Sequence, residues 1–289
     1  MKLLTINTHS LVEPDFEIKR EYFARVILQE QPDIFAMQEV NQTAAAPIRD
    51  EKQLAGFLPC PGSDVPVRED NYAAWLAERL HKGGLCYYWT WIPAKLGYDC
   101  YDEGMAVFSR RPIEKAEQFF TSRSQDYHNW KTRKALGIQT GNSWYYTVHM
   151  GWWDDDEEPF ASQWSRLETY LSNKKQDGQT VWLMGDFNSS STVRGQGFDL
   201  VIQSDWRDTF ADAEEKDTGI TVEEVIDGWK ERSSELECGG VKGMRLDYIF
   251  SSRPVSVLRS QVICNGKHYE KVSDHYGVMV ETKNTGEEL

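Results

Sequence analysis

The sequence has no long apolar run and no excess of basic side chains. Its 289 residues contain no stretch near the roughly 18 apolar residues that a membrane helix needs, and the mean hydropathy is −0.60. The 32 lysines and arginines are outnumbered by 46 aspartates and glutamates, which gives a formal net charge of −14. Because tight binding to a phosphate backbone relies on clustered basic side chains, we expect neither a membrane segment nor stable nucleic-acid binding.

Cysteine is also scarce, since the chain has five, widely spaced and without a Cys-x-x-Cys pair. An odd number of scattered cysteines is typical of reduced thiols, not of a disulfide framework or a cysteine-based metal site. The apolar stretch Leu3–Ile6 is too short for a secretory signal peptide and is followed at once by polar residues. We therefore expect a cytoplasmic protein.

Tryptophan, by contrast, is abundant, with 11 residues in a chain that is 40% hydrophobic. Such a chain can bury a sizeable core, while other tryptophans are candidates for partly exposed ligand surfaces. We expect core packing for Trp75, Trp144, Trp164 and Trp182. No linker rich in proline, glycine or serine divides the chain, so we predict one domain over residues 1–283 and a frayed tail over 284–289.

Apolar periodicity predicts few helices and many strands. Helices are expected near residues 17–31 and 70–82 and from Pro159 onwards. Strands are expected near residues 2–8, 33–40, 86–93, 104–109, 113–120, 133–139, 143–149, 180–185, 245–251, 255–264 and 274–281. This pattern predicts α/β layers with mixed sheets and argues against a doubly wound sheet. The strongly acidic stretch 205–240 predicts a surface excursion with a short helix at about 221–231.

Polar side chains recur where the predicted strands end or begin. A lone aspartate in such a place is more often a turn residue or a helix cap. Here the pattern repeats at Asn7, Glu39, His149, Asp186, Asn188, Asp247, Asp274 and His275. Strand ends gathered at one edge of packed sheets form ligand sites, and carboxylate oxygens suit Mg²⁺ or Mn²⁺. The sequence therefore predicts a metal-dependent site at that edge.

Four short motifs carry a resemblance to a known family. They are Gln-Glu-Val at 38–40, Gly-Met-Ala-Val-Phe-Ser at 104–109, Gly-Asp-Phe-Asn at 185–188 and Ser-Asp-His at 273–275. In this order, from Leu3 to about Glu281, the chain resembles the endonuclease/exonuclease/phosphatase superfamily. The resemblance implies a four-layer α/β sandwich of the DNase I type, with two central mixed β-sheets flanked by helices. It also implies Mg²⁺-dependent phosphoester hydrolysis.

The resemblance further implies which residues handle the metal ion and the attacking water. Glu39 would be the main metal ligand, and Asp274 would bind or support a metal. Asn7 would lie beside the metal and orient Glu39 or the phosphate. Asp186 would orient or deprotonate the attacking water.

A second group of residues is implied to handle the phosphate. Asn188, His149 and His275 would contact its oxygens. Asp247 would orient the ring of His275, and Glu103 would orient that of His149. Fixed donors around the equatorial oxygens would then stabilise the transition state, where negative charge develops.

The segment after His149 contains residues that could contact or repel a substrate. It reads Trp152-Trp153 followed by five acids, Asp154–Glu158, which are either a solvated loop or a repulsive surface for polyanions. Trp152 and Trp153 are candidates for stacking on a sugar ring, and Arg194 is a candidate phosphate contact. Three further tryptophans are candidates for the same pocket wall, namely Trp89, Trp91 and Trp130.

Within the superfamily, the opening Asn7-Thr8-His9-Ser10 and the paired tryptophans most resemble the bacterial maltose 6′-phosphate phosphatases. That resemblance implies a phosphatase whose partner is a small phosphorylated sugar. The alternatives are a phosphodiesterase, either a nuclease or a sphingomyelinase-like enzyme, and a non-catalytic binding module. The binding module is disfavoured because Glu39, Asp186 and His275, which it would be expected to lose, are present.

Overall fold

The computed structural model describes residues 1–224 and 243–283, and within them two mixed β-sheets pack face to face. The first sheet contains β1 (Lys2–Asn7), β2 (Ile34–Gln38), β3 (Gln42–Thr43), β4 (Tyr88–Gly97), β5 (Tyr101–Ser109), β11 (Glu215–Lys216), β13 (Val257–Ile263) and β14 (Gly277–Thr282). The strand order is β11-β13-β14-β1-β2-β5-β3, and β4 also pairs with β5. The parallel pair β1–β2 lies at its centre.

The second sheet is built around another parallel pair. It contains β6 (Lys115–Phe120), β7 (Lys134–Thr140), β8 (Ser143–His149), β9 (Thr180–Asp186), β10 (Arg207–Asp208) and β12 (Asp247–Ser251). Its order is β10-β12-β9-β8-β7-β6, with β8 and β9 parallel and the other neighbours antiparallel.

Helices cover the outer face of each sheet. Helices α1 (Phe16–Glu30) and α2 (Tyr72–Lys82) share a core with the first sheet. Helices α3 (Phe160–Gln176) and α4 (Gly197–Gln203) lie on the second, and a short helix, α5 (Thr209–Asp212), follows β10. This arrangement confirms the predicted four-layer α/β sandwich.

The alternation of side chains along the strands builds these layers. In β9, Trp182 and Met184 face the core between the sheets, whereas Val181 and Leu183 face the helical layer. Because successive side chains of a strand point to opposite faces, a strand that is apolar throughout needs cover on both sides. Both central sheets therefore have a helical layer outside them.

The predicted helices and strands appear within a few residues of their expected positions, and the short β3, β10, β11, α4 and α5 are additional. Residues 221–224, the start of the predicted helix at 221–231, are not helical, because Val222 forms a β-bridge with Met244. The rest of that helix and the tail 284–289 lie outside the described residues. None of the described helices is long and apolar enough to cross a membrane.

The topology brings the polar strand termini to one edge. In the first sheet, the last residue of β1, Asn7, is paired with Gln38 at the end of β2. In the second sheet, Asp186 at the end of β9 lies between His149 at the end of β8 and Asp247 at the start of β12. The two edges adjoin, so side chains that are distant in the sequence meet there.

Candidate functional site

Strained backbone marks the ends of two strands at this edge. Glu39 follows β2 with φ of 52°, and Asn188 follows β9 with φ of 45°. Residues other than glycine rarely adopt this left-handed conformation, which persists where the surrounding structure imposes it. The backbone N–H of Asn188 donates to Asp186 Oδ1 at 2.7 Å, which helps to fix that turn.

A cavity of about 410 Å³ opens at the adjoining edges. We call its polar base the floor, which is formed by Glu39, His149, Asp186, Asn188, Asp274 and His275. We call the aromatic part of its wall the rim, which is formed by Tyr98, Trp130 and Trp152. The cavity thus combines a charged base with an aromatic entrance.

Asn7 joins the two sheets beneath the floor. Its side-chain amide is 1% exposed and donates to Glu39 Oε1 at 2.8 Å and to Asp186 Oδ2 at 3.2 Å. These two carboxylates come from different sheets. The asparagine therefore holds them at a fixed separation, which makes the floor a rigid constellation.

His275 lies between two buried carboxylates. Its Nδ1 is 2.9 Å from Asp247 Oδ2, and its Nε2 is 3.8 Å from Asp186 Oδ2. Burial alone would lower the pKa of His275, but the charges of Asp247 and Asp186 raise it well above the usual value. The shift favours the imidazolium form of His275, and Asp247 lies within hydrogen-bond distance of its ring, where the resemblance implies an orienting role.

His149 has the opposite electrostatic environment. Its Nε2 is 3.7 Å from Asp186 Oδ2 and 3.9 Å from Glu39 Oε1. Burial lowers the pKa of His149 well below the usual value, and the nearby cations Arg133 and Lys95 lower it further. The pKa values of the two imidazoles of the floor are therefore shifted in opposite directions, so the two rings differ in their ability to give a proton to a ligand.

Asp186 is suited to accept a proton near neutral pH. Its side chain is buried, and burial together with the charge of Asp247 raises its pKa to about 7, against the opposing effect of His275. A carboxylate with a pKa near the working pH is well matched to general-base chemistry.

The floor also fits a divalent cation. Burial raises the pKa of Glu39, and the negative charges of Glu103 and Asp274 raise it further. Carboxylates that destabilise one another in this way are stabilised by a hard cation with oxygen ligands. Two neighbouring groups have ligand atoms within 4.8 Å of one another, His9–Glu13–Asp274 and Asp186–Asp247–His275. The second group already forms ion pairs around His275, so a cation there would compete with a proton.

The structure does not bring every predicted residue to its expected place. Glu103 lines the cavity and its Oε1 pairs with Lys95 Nζ at 2.9 Å, and the described residues show no hydrogen bond from Glu103 to His149, whose ring it was expected to orient. Trp153 packs against Phe160, and the Arg194 side chain is 74% exposed and pairs with Asp199. Neither Trp153 nor Arg194 is among the described residues that line the cavity.

The tryptophans also divide differently from the expectation. Trp89 and Trp91 are buried in the core beside the helices, and neither is among the described residues that line this cavity. Trp130, by contrast, is 49% exposed in the rim and its ring centroid is 5.5 Å from that of Trp152. The core prediction is confirmed for the buried Trp144, Trp164 and Trp182, whereas Trp75 is partly buried against the core.

Sequence reasoning missed four residues of the cavity, namely Lys95, Gly97, Tyr98 and Arg133. A charged residue next to the apolar run of β4 was the available signal for Lys95. A β-bulge between Pro93 and Lys95 shifts the register there, and side-chain orientation cannot be counted through a bulge. Arg133 precedes β7 in a loop, where no periodicity exists.

Part of the acidic run Asp154–Glu158 has a structural role. Glu158 is buried, and its carboxylate accepts the backbone N–H groups of Arg123 at 2.9 Å and Ser124 at 2.6 Å. Asp155 accepts from Lys131 Nζ at 3.0 Å. These contacts fasten the 121–133 loop, which carries Trp130. The exposed members of the run are Asp154, Asp156 and Glu157.

Comparison with protein-family models identifies the family of this chain. The model of the endonuclease/exonuclease/phosphatase family matches residues 4–275. A family protein from Leptotrichia buccalis has a similar structure, with a TM-score of 0.80 and 32% identity over 98% of this chain and 100% of that one. The search of curated proteins found no match.

More distant structures share the fold. A mannosyl-6-phosphatase from Bacteroides thetaiotaomicron is 15% identical, with a TM-score of 0.64, over 98% of this chain and 100% of that one. A 3′ phosphatase from Neisseria, bound to a product DNA hairpin, is 16% identical, with a TM-score of 0.62, over 98% of this chain and 100% of that one. At these identities the likeness concerns the architecture alone.

Proposed function

Because the chain belongs to the endonuclease/exonuclease/phosphatase family, whose members are metal-dependent phosphoester hydrolases, we propose that it releases phosphate from a small phosphorylated sugar. The observation that carries this proposal is the pairing of a charged floor with an aromatic rim in one cavity. The charged floor suits a phosphoryl group, and the aromatic rim suits an uncharged sugar ring to which that phosphoryl group is attached.

In the proposed reaction each floor residue has a separate task. Asp186 takes the proton of the attacking water, as its raised pKa allows, and the sugar oxygen takes a proton from solvent as its bond to phosphorus breaks. The imidazolium of His275 donates to a phosphoryl oxygen, where charge grows in the transition state. Asn188 and His149 contact the other oxygens. Asp247 keeps the ring of His275 in place.

Glu39 and Asp274, with Asn7 beside them, would hold a divalent cation, for which we propose Mg²⁺, with Mn²⁺ as a substitute. When bound, the cation neutralises phosphate charge and polarises the phosphoryl oxygens. Asn7 supports this arrangement by fixing Glu39 against Asp186.

The rim supports a sugar as the leaving group. Trp130 and Tyr98 are 49% and 51% exposed and line the same cavity as the floor, so their rings are accessible to a ligand bound there. Aromatic faces with a polar edge suit partly hydrated surfaces such as a bound sugar. On the resemblance of the opening Asn7-Thr8-His9-Ser10, we propose a substrate such as maltose 6′-phosphate and a role in carbohydrate metabolism.

Electrostatics support a small substrate over a nucleic acid. The net charge is −14, and Asp154, Asp156 and Glu157 are exposed in the loop that follows Trp152-Trp153. A long polyanion would be repelled there. A cytoplasmic location is proposed on the thiols, since Cys60, Cys86, Cys100 and Cys264 are unpaired and Cys238 lies outside the described residues. One domain over residues 1–283 is likewise proposed.

A phosphate-release screen tests this function. Phosphate release from sugar phosphates and nucleotides is compared with product formation from a phosphodiester and plasmid DNA over a range of substrate concentrations with Mg²⁺, and Asp186→Asn serves as the inactive control. We expect the highest kcat/KM for a disaccharide phosphate. Faster cleavage of the diester or plasmid, falling steeply with added salt, would instead support the alternative phosphodiesterase function.

A further inference from the structure

His9 lies between the floor and the rim of the cavity and contacts a residue of each. Its ring nitrogen Nδ1 is 3.8 Å from Oδ2 of Asp274 on the floor, and its Nε2 is 3.4 Å from the hydroxyl of Tyr98 on the rim. Both His9 and Tyr98 line the cavity, and the contact between them is exposed to solvent. A ligand that enters the cavity can therefore reach these two polar groups, which we call the polar pair.

Glu13 fixes the orientation of the His9 ring. Nδ1 of His9 is 2.9 Å from Oε1 of Glu13, a residue that is 7% exposed and also forms an ion pair with Lys19. The same Oε1 accepts the backbone N–H of Asp274 at 3.0 Å. Because an ionised carboxylate only accepts hydrogen bonds, Nδ1 is the donor to Glu13, and Nε2 is the edge of the ring that faces Tyr98.

The backbone of both members of the polar pair is strained. His9 and Ser10, which follow β1, have φ of 46° and 49°. Tyr98 and Asp99, in the turn between β4 and β5, have φ of 49° and 58°. A bulky residue such as tyrosine rarely adopts this left-handed conformation, and such strain clusters at ligand sites, where the surrounding structure imposes it. Two strained segments from distant parts of the chain thus meet at one point of the cavity.

A hydroxyl group is the ligand that suits the polar pair. A phosphoryl group held on the floor would direct its ester oxygen toward the entrance, so the first atoms of the leaving group would pass the level of His9. An alcohol hydroxyl both donates and accepts, so it can bridge Nε2 of His9 and the phenolic oxygen of Tyr98. An apolar leaving group would displace water from these atoms without replacing its hydrogen bonds, which costs free energy.

We propose that Nε2 of His9 and the hydroxyl of Tyr98 bind a hydroxyl group of the leaving sugar next to the ester, and so select polyhydroxylated leaving groups over apolar ones. This inference rests on the proposed sugar phosphatase function and adds a polar contact to the aromatic rim. Stacking on Trp130 suits any ring with an apolar face, whereas the polar pair distinguishes a sugar from a hydrocarbon ring of the same size.

The test compares glucose 6-phosphate with cyclohexylmethyl phosphate in the presence of Mg²⁺. Both are primary phosphomonoesters with a six-membered ring, and only the first carries hydroxyl groups on that ring. Tyr98→Phe removes a single oxygen atom and keeps the aromatic ring. We expect it to lower kcat/KM for glucose 6-phosphate about tenfold, through a higher KM, and to leave kcat/KM for cyclohexylmethyl phosphate within about twofold.

The matched control is Tyr88→Phe. Tyr88 is 43% exposed and is not among the described residues that line the cavity, so the loss of its hydroxyl should change neither value.

A second variant tests the other member of the polar pair. His9→Asn keeps a donor near the position of Nδ1 and removes Nε2, and asparagine tolerates the left-handed backbone. We expect the ratio of kcat/KM for glucose 6-phosphate to that for cyclohexylmethyl phosphate to fall about tenfold again, with no change in the Mg²⁺ concentration that gives half-maximal activity. An unchanged ratio in either variant, or equal losses for both substrates, would overturn the assignment. A higher Mg²⁺ requirement in place of the lower ratio would also overturn it, because His9 would then serve the metal site.

The outcome for the wild-type protein separates this inference from the proposed function. A preference for glucose 6-phosphate that neither Tyr98→Phe nor His9→Asn reduces overturns the inference and leaves the sugar phosphatase function intact. A wild-type protein that prefers cyclohexylmethyl phosphate, or that releases phosphate from neither monoester and cleaves only diesters, overturns both.

Discussion

The floor and the rim of the cavity differ in how firmly their side chains are held. On the floor, Asp186 and His275 are 1% and 3% exposed, and Asn7 ties Asp186 to Glu39 across the two sheets. On the rim, Trp130 is 49% exposed and is carried by a loop. Reacting groups on strand ends keep a precise geometry, while loops are free to vary with the ligand. The difference indicates that chemistry and substrate choice are separate properties of this site.

Substitutions on the floor and on the rim should therefore have different kinetic effects. Changes on the floor should act on interactions made in the transition state and therefore lower kcat. Changes on the rim should act equally on the bound substrate and the transition state, and therefore raise KM.

Metal removal should have the largest effect on the floor. Burial raises the pKa of Glu39, and the charges of Glu103 and Asp274 raise it further, so we expect these carboxylates to need a cation. EDTA treatment followed by dialysis should reduce phosphate release to background, and Mg²⁺ or Mn²⁺ should restore it. Full activity in protein that metal analysis finds to be stripped would contradict the account.

Single substitutions on the floor should come next. Asp186→Asn removes a proton acceptor, and His275→Ala removes a buried cation, so each should lower kcat about a thousandfold. Circular dichroism should remain that of the wild type, because neither side chain belongs to the apolar core.

Exposed residues of the same types provide the controls. Asp126 and His128 have side chains 68% and 77% exposed in the 121–133 loop, so Asp126→Asn and His128→Ala should leave kcat unchanged. A loss of tenfold or less in Asp186→Asn or His275→Ala would mean that the chemistry lies elsewhere, since transition-state contacts are worth far more.

Loosening the loop that carries Trp130 should have a smaller effect. Glu158→Gln replaces an acceptor of two backbone N–H groups with an amide, which should lower the free energy of unfolding by about 1.5–3 kcal/mol. Chemical denaturation measures this loss. Asp156→Asn, an exposed neighbour in the same acidic run, is the control and should unfold like the wild type. Equal stability of both variants would show that Glu158 does not fasten the loop.

The fold and the residues of the floor could be predicted from the sequence, because the patterns that indicate them are regular. Apolar runs with period two or 3.6 gave the strands and helices, and Asp186 and His275 lie in short motifs at strand termini. Parallel pairing of β1 with β2 and of β8 with β9 then places their ends at one edge. The roles of these residues remain predictions, although their proximity is a structural fact.

The rim could not be derived in the same way. Trp152 and Trp153 are adjacent in a loop, and no period tells which of them faces the cavity and which packs against Phe160. Lys95 follows a register shift at a β-bulge, and Arg133 lies in a loop without periodicity. Such features depend on tertiary contacts, which local sequence patterns do not encode.

The most direct test of separate floor and rim functions is the kinetics of Trp130→Ala on two monoesters, the favoured sugar phosphate and an aryl phosphate. We predict that KM for the sugar phosphate rises about tenfold, from the lost stacking contact, while kcat for both substrates stays within about twofold. Tyr88→Ala, which removes an aromatic ring 43% exposed and outside the described lining of the cavity, should change neither constant. An equal fall in kcat for both substrates in Trp130→Ala would contradict the separation.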